Sequence, residues 1–333
     1  MKFRDQAAIY IREIQTRRRE PVRAATVRIY QSYLDAHILP QIGYMSTELI
    51  TNGNMKGFVS YLNSQKLAPS TVNAIFNLVK AVISSEVDEN GDEVNPRKWN
   101  PDFLDLPIVN KADQSAPIVT PDQIQEALRA AETQDSQLAA LVVLLASSGL
   151  RIGEALALRG HESTDYGYVA PGSGDVPELV SLKGTYGFSY WDPETGIIHV
   201  KSTLVKGKVS PEPKTSAGNR EIDLHPDVNE YLKRDGLPTA GFLFQSRDKS
   251  RVRIETLYDQ FEALGLTDGF HAFRRFRATH LESQNVPRSL TRFWLGHSGK
   301  DITDRYIQIG KDITIRRDWA LKAGIGFQLR GKS

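Results

Sequence analysis

The sequence predicts a mainly α protein of two domains, with a small antiparallel β-sheet set into the second. Apolar residues recur at helical spacing through most of the chain, and strand-like runs are confined to residues 197–224. A stretch without periodicity near residues 109–118 separates two helical blocks. At 333 residues the chain also exceeds a typical single domain. The boundaries that follow are a helical domain over residues 1–110, a linker over 111–118, and a second domain with a C-terminal tail over 119–333.

The first domain begins with an amphipathic helix around Ala7-Ala8-Ile9-Tyr10-Ile11. After Pro21, a second helix runs through Thr26 to Leu34, and Pro40 is expected to stop it, with Gly43 beyond. A third spans Asn54 to Asn63, with Met55, Phe58, Val59 and Leu62 as its core face. Pro69-Ser70-Thr71 starts a fourth, whose apolar stripe is Val72, Ile75, Phe76, Val79, Val82 and Ile83. Its opposite face carries Asn73, Asn77 and Lys80 at i, i+4, i+7. Such a stripe suits base and phosphate contacts in a DNA groove, and it equally suits ordinary solvated surface.

An acidic turn, Asp88 to Glu93, precedes Asn95-Pro96. The second domain opens at Thr120-Pro121-Asp122-Gln123, where a threonine N-cap, proline at N1 and glutamine at N3 form a capping box. Gln137 to Ser148 is nearly all apolar and must be buried; Gly149 suits its C-terminal cap, and a helix resumes over Leu150 to Leu156. A Gly-, Pro- and Tyr-rich insertion fills 161–192. Ile197–Val200, Thr203–Val205 and Arg220–Leu224 then read as strands of one small sheet, before helices return from Ile254.

Composition excludes several classes. The chain has no cysteine, hence no disulfide and no thiolate metal site, which suits a reducing interior. Its longest apolar stretch, Leu138 to Ala146, is far short of the roughly 18 residues of a membrane span, and the N-terminus has no signal-peptide core. A soluble, cytoplasmic protein is expected. Net charge is only +2, yet Arg12, Arg17, Arg18, Arg19, Arg23 and Arg28 crowd the first thirty residues. A solvated helix face is the plain reading of that run.

The chemistry is concentrated in the second domain. Tyr306 lies just after Trp294-Leu295-Gly296-His297-Ser298 and downstream of Arg151-Ile152-Gly153-Glu154 and His271-Ala272-Phe273-Arg274. A tyrosine that attacks phosphorus must lose its proton, and the phosphorane it forms carries negative charge that arginines and histidines stabilise. Singly, each residue has an ordinary explanation: a helix ion pair for Arg151 and Glu154, a solvated face for His271 and Arg274, a capping histidine, a half-buried tyrosine.

Jointly they resemble the tyrosine recombinase, or phage integrase, family. Its catalytic domain carries, in order, an arginine with a nearby acidic residue, a lysine in a β-hairpin, His-x-x-Arg, Leu-Gly-His and a tyrosine. Arg151 with Glu154, Lys214, His271 with Arg274, His297 and Tyr306 match that order and its intervals. A specified residue occurs by chance at roughly one position in twenty, so interlocked agreement of this kind is specific. The resemblance extends to the first domain, where Thr26 to Tyr30, His37 to Gly43 and Leu67 to Thr71 look like the family's core-binding helices.

The resemblance implies a site-specific recombinase of a phage or other mobile element, forming a 3′-phosphotyrosine at Tyr306 and exchanging strands through a Holliday junction. Arg151 and Arg274 would clamp the phosphate, and His297 would donate to the phosphorane. His271 would assist proton transfer at the tyrosine, Lys214 would protonate the leaving 5′ oxygen, and Glu154 would orient the cations. Lys201, Lys206 and Lys208 compete with Lys214. Thr26, Arg28, Thr71, Asn73, Asn77 and Lys80 are candidate DNA contacts. No cofactor and no metal are implied. The partners implied are duplex recombination sites and a homotetramer on two duplexes, joined through the tail after Tyr306, with room for accessory DNA-bending or directionality factors and no membrane. A chromosome-dimer resolvase, a type IB topoisomerase and a non-catalytic DNA-binding protein are the alternatives. Arg275 stands where many members carry histidine, the 161–192 insertion is longer than usual, and no room is left for a separate arm-binding domain.

Overall fold

The computed structural model describes residues 1–19, 21–110, 116–160, 167–168, 179–180, 188–205, 208–210, 218–234, 236–246, 248, 250, 252–297 and 309–329. The chain divides into two compact units, Met1–Gln114 and Ser115–Ser333.

Helices α1 (Phe3–Thr16), α2 (Ala24–Tyr33), α3 (Leu39–Ile42), α4 (Asn52–Ser64) and α5 (Pro69–Ser84) build the first unit. Their apolar faces close on one core around Phe3, Ile38, Ile50, Met55, Leu62 and Ile75. Pro40 does not stop the second helix. The helix widens into a π turn over Leu34–Ile38 and runs on into α3, whose first turn holds Pro40. The Leu39 N–H reaches back five residues to the Leu34 carbonyl. This resets the register so that proline falls where a helical start asks for no N–H. At α4 the start is earlier than expected, because Thr51 and Asn54 cap each other reciprocally. The stripe expected on α5 is buried in full.

In the second unit, α6 (Pro121–Gln134) starts at the Thr120–Gln123 capping box. It packs on α7 (Ser136–Ser148), whose side chains from Leu138 onward are all buried. A left-handed Gly149 ends α7, and one helical turn, α8 (Ile152–Ala155), follows. Of the insertion, strands β1 (Gly167–Tyr168) and β2 (Leu179–Val180) pair antiparallel. The central sheet consists of β3 (Tyr190–Asp192), β4 (Ile197–Val200) and, later in the chain, Arg220–Asp223, all antiparallel with β4 in the middle. Between them β5 (Thr203–Val205) and β6 (Lys208–Ser210) form a hairpin of their own, so Arg220–Asp223 is β7.

The separation of β5 from the sheet departs from the sequence expectation and has a local cause. The buried Ser189 hydroxyl accepts from the N–H groups of Lys201 (2.9 Å) and Ser202 (2.8 Å). It thereby takes the place of a strand neighbour, and the chain turns away. Helices α9 (Pro226–Arg234), α10 (Ile254–Ala263), α11 (His271–Ser283), α12 (Arg288–Leu295) and α13 (Ile313–Ala323) complete the unit, with α9 and α11 against α7.

The described part of the tail, expected to join protomers, is seated on its own unit. Ala320, Ala323 and Ile325 are buried there. Arg316 reaches Glu221 at 2.6 Å, Asp223 at 3.1 Å and the Gly310 carbonyl at 2.8 Å. Ile313, Ile315 and Leu321 of α13 stay exposed. No helix among the described residues is long and apolar enough to cross a membrane.

Gly149 is where fold and site meet. Its φ of +66° is a conformation L-residues avoid, and an added Cβ would lie 2.7 Å from Leu295 Cδ2. We expect Gly149→Ala to destabilise the second unit by about 1–3 kcal/mol, from backbone strain before any repacking. Chemical denaturation compared with Gly265→Ala, which has a similar φ and open space around it, separates the contact from the strain.

Candidate active site

Arg151 is placed by the end of α7. The left-handed turn at Gly149 brings it directly to the N-cap of α8, where its backbone N–H donates to Glu154 Oε2 at 2.9 Å and its Nη1 to Glu154 Oε1 at 2.8 Å. The expected i, i+3 pair is thus a helix start as well as an ion pair. Glu154 has a second, deeper partner. Arg220 Nη2 donates to Oε2 at 2.9 Å and Nη1 to Oε1 at 3.2 Å. Side-chain exposure falls from 42% at Arg151 to 6% at Glu154 and 1% at Arg220. Burial works against ionisation of Glu154, but hydrogen bonds and charge from Arg220, then from Arg151, outweigh it and hold the carboxyl below its ordinary value.

The sequence marks Arg220 only as the first residue of a strand. A signal was present. In β7 and the residue after it, Arg220, Ile222 and Leu224 alternate along one inward face, and all three are buried. An arginine in such a row needs a buried anion, and Glu154 is that anion.

Arg274 follows His271 by three residues on α11 and is 4% exposed. Among the described residues it has no carboxylate within ion-pair distance. Nη1 donates to the Gly149 carbonyl at 2.9 Å and Nη2 to the Leu295 carbonyl, so the guanidinium joins the C-terminal ends of α7 and α12. Helix C-termini carry partial negative charge and suit a cation. Burial, followed by the nearby positive charge of Arg151, lowers the Arg274 pKa to about 10.

The Leu295-Gly296-His297 run is the end of α12. Gly296 is left-handed, its N–H bonds to the Phe293 carbonyl at 3.1 Å, and the His297 N–H bonds to the Arg292 carbonyl at 3.0 Å. This double closure is a Schellman turn, and it turns His297 out of the helix onto the surface. The preceding residue is pinned to β7 twice: the Trp294 carbonyl accepts from Arg220 Nε at 2.7 Å, and its indole donates to Asp223 at 2.8 Å.

His271 and His297 are both exposed at this cluster. Partial burial, then the cationic field of Arg274, with Arg275 and Arg151 at His271 and Arg151, Arg220 and Arg292 at His297, lowers both pKa values. Among the described residues, Arg151, Arg220 and Arg274 place three guanidinium groups around the carboxylate of Glu154, flanked by two imidazoles whose lowered pKa favours the neutral form at pH 7. Such a surface binds an oxyanion and can pass a proton. Among the described residues no group of His, Cys, Asp and Glu is arranged to hold a metal.

Arg151, Glu154, His271, Arg274 and His297 are thus brought together. Lys214 and Tyr306 lie outside the described residues, as does Lys206; Lys201 is half-buried beside the sheet, and Lys208 belongs to β6. In the first unit Arg28 and Asn77 are exposed, while Thr26, Thr71 and Lys80 are half-buried, with the Lys80 ammonium 5.7 Å from the Phe76 ring. The Asn73 amide donates to the carbonyls of Pro69 at 2.9 Å and Pro107 at 2.8 Å, which ties α5 to the segment after Leu106. Arg275 is likewise engaged, donating to the Pro117 carbonyl at 2.7 Å.

No family model matches the chain. The structure is similar to that of the Tn1549 transposon integrase in complex with circular-intermediate DNA, with a TM-score of 0.67 and 18% identity, over 92% of this chain and 94% of that one. It is also similar to a lambda integrase tetramer bound to a Holliday junction, with a TM-score of 0.57 and 15% identity, over 91% of this chain and 79% of that one. Among curated proteins, tyrosine recombinase XerD of Rickettsia prowazekii is 28% identical over 134 residues, 39% of each chain. Transposase B from transposon Tn554 of Staphylococcus aureus is 19% identical over 276 residues, 78% of this chain and 38% of the relative. The chain therefore spans about two fifths of the length of the curated relatives it matches. It has the fold of the integrases, mainly α with a small antiparallel sheet.

The histidines make the cluster testable without a substrate. Each folded-state pKa lies below the ordinary 6.5, so on acidification the unfolded chain binds protons first. The stability these two groups confer is present above 6.5 and is lost as pH falls through their folded values. Sulfate bound at the cluster favours the imidazolium forms. We expect NMR titration to place His271 and His297 below 6.5 in the free protein and sulfate to move both upward; unchanged values would mean that the cluster holds no oxyanion.

Proposed function

We propose that this chain is a site-specific DNA recombinase of the tyrosine type, serving a mobile element by cleaving and rejoining duplex DNA. One observation carries the reading: Arg151, Arg274, His271 and His297, distant in sequence, converge in one cationic cluster, with Arg274 buried behind the other three, in a fold shared with integrases described on DNA. In this reading Tyr306 attacks the scissile phosphorus while His271 takes its proton. The P–O5′ bond breaks, Lys214 delivers a proton to the departing oxygen, and a 3′-phosphotyrosine remains. Arg151 and Arg274 hold the non-bridging oxygens, for which a guanidinium fork is well matched, and His297 donates a further hydrogen bond. Because the phosphotyrosine conserves the bond energy, rejoining needs no nucleotide.

The first unit serves in this reading as the core-binding domain, with the exposed Arg28 and Asn77 as its best-placed DNA contacts. In this reading strand exchange occurs on cytoplasmic DNA in a tetramer on two duplexes; the lambda integrase is described as a tetramer bound to a Holliday junction.

The decisive experiment uses a nicked duplex carrying a site recovered by selection from a randomised pool. The wild type should form a covalent adduct, and Tyr306→Phe should bind the duplex yet form none; an adduct that does not depend on Tyr306 rejects the mechanism. Arg274→Ala should slow adduct formation by about 10²–10³-fold, as expected when a donor to the transition-state oxyanion is removed. Lys214→Ala should be slow on the natural linkage and restored by a 5′-bridging sulfur, since a thiolate leaves without a proton; the same rescue at Lys201 or Lys208 would reassign the acid. Recombination between two sites, as opposed to relaxation alone, distinguishes this activity from that of a topoisomerase.

A further inference from the structure

We propose that Arg220 is a positioning residue that neutralises Glu154 and so leaves the charge of Arg151 available to the scissile phosphate. The inference rests on the recombinase reading of the same site. Arg151 and Glu154 alone form a neutral pair, which has little attraction for an anion. Adding Arg220 restores one net positive charge, and the geometry determines where that charge is felt. Arg220 engages both carboxylate oxygens, at 2.9 and 3.2 Å, whereas the Arg151 side chain contributes one hydrogen bond at 2.8 Å. The buried fork therefore satisfies the carboxylate, while the arginine with 42% of its side chain exposed faces the solvent side.

Arg220 is itself immobilised. Its Nε donates to the Trp294 carbonyl at 2.7 Å and its Nη1 also reaches the Gly218 carbonyl at 3.2 Å. A partner so constrained cannot follow Glu154 toward the surface. Without it, Arg151 would be the one cation among the described residues still hydrogen-bonded to the buried carboxylate, which would draw that guanidinium inward, because an unpaired buried charge is strongly disfavoured.

This role differs from simple bracing, and charge balance separates the two. We expect Arg220→Met to lower the rate of adduct formation on the nicked site by about 10²-fold, comparable to losing a transition-state donor. The Arg220→Met/Glu154→Gln double variant, which removes the carboxylate charge as well, should recover at least about tenfold of that loss, a non-additive coupling. On a scissile methylphosphonate, whose phosphorane carries less charge, the Arg220→Met defect should shrink. If the double variant is no faster than Arg220→Met, or the defect is the same on both linkages, Arg220 only braces the fold and the proposal is overturned. Should Arg220→Met fail to fold by circular dichroism, Arg220→Gln carries the same comparisons at closer shape. A wild type that forms no Tyr306-dependent adduct overturns the recombinase reading and this inference together; an adduct without charge rescue overturns this inference alone.

Discussion

A carboxylate almost shut off from water, Glu154, is the constraint around which the second unit is built. Buried unpaired, it would be strongly destabilising, so its partners must arrive from wherever the chain can supply them. Arg151 comes from the adjoining residues and Arg220 from a strand 66 residues later. Arg220 then fixes the Trp294 carbonyl, and Arg274 fixes Leu295 and Gly149. The ends of α7 and α12, the start of α8, β7 and α11 are thereby closed by charge-assisted hydrogen bonds. Apolar packing alone would bring these segments near one another, but it is non-directional; hydrogen bonds to charged groups set distance and angle together.

Strand β7 extends this order toward the tail. Its first residue holds the Trp294 main chain and its last, Asp223, holds the Trp294 indole and Arg316. Arg316 in turn holds the Gly310 carbonyl and lies 5.4 Å from the Phe293 ring. Gly310 rests so close to that ring that a Cβ would stand 2.6 Å from it. Of the positions on either side of Tyr306 in sequence, Gly296 closes α12, and Gly310 rests on α12 and is joined to β7 through Arg316. In the described residues, the tail's first task is within its own chain, and the exposed Ile313, Ile315 and Leu321 are what it leaves for other contacts.

The helices and the order of the chemical residues were legible because both follow from local rules. The capping box at Thr120, the buried stripe of α5 and the glycine that ends α7 each depend on a few neighbouring residues. What escaped depends on distant partners. Pro40 looks like a stop until the π turn before it is known. Thr203–Val205 looks like a strand of the main sheet until Ser189, from an earlier segment, takes the N–H groups of Lys201 and Ser202 just before it. Asn73 looks like a free amide on a polar stripe until Pro107 supplies its acceptor. The inward register of Arg220 was readable from Ile222 and Leu224, but the reason for an arginine there was Glu154, invisible until the strand and α8 are brought together.

Local electrostatics also explains how a chain with a net charge of only +2 can favour a polyanion. Exposed charges more than about 8 Å apart are largely screened at physiological ionic strength, so overall charge contributes little specific attraction. Among the described residues of the cluster, the guanidinium groups of Arg151, Arg220 and Arg274 act against the Glu154 carboxylate, and Arg220 and Arg274 are buried deeply enough to escape most screening. Burial, and after it the same field that would hold a phosphate, lowers the pKa of His271 and His297 beforehand. An imidazolium there would add charge but lose its ability to accept a proton. The protein therefore gains cationic strength from arginines, which cannot give up their protons at neutral pH, and keeps proton transfer for groups whose pKa burial and the arginines together have lowered.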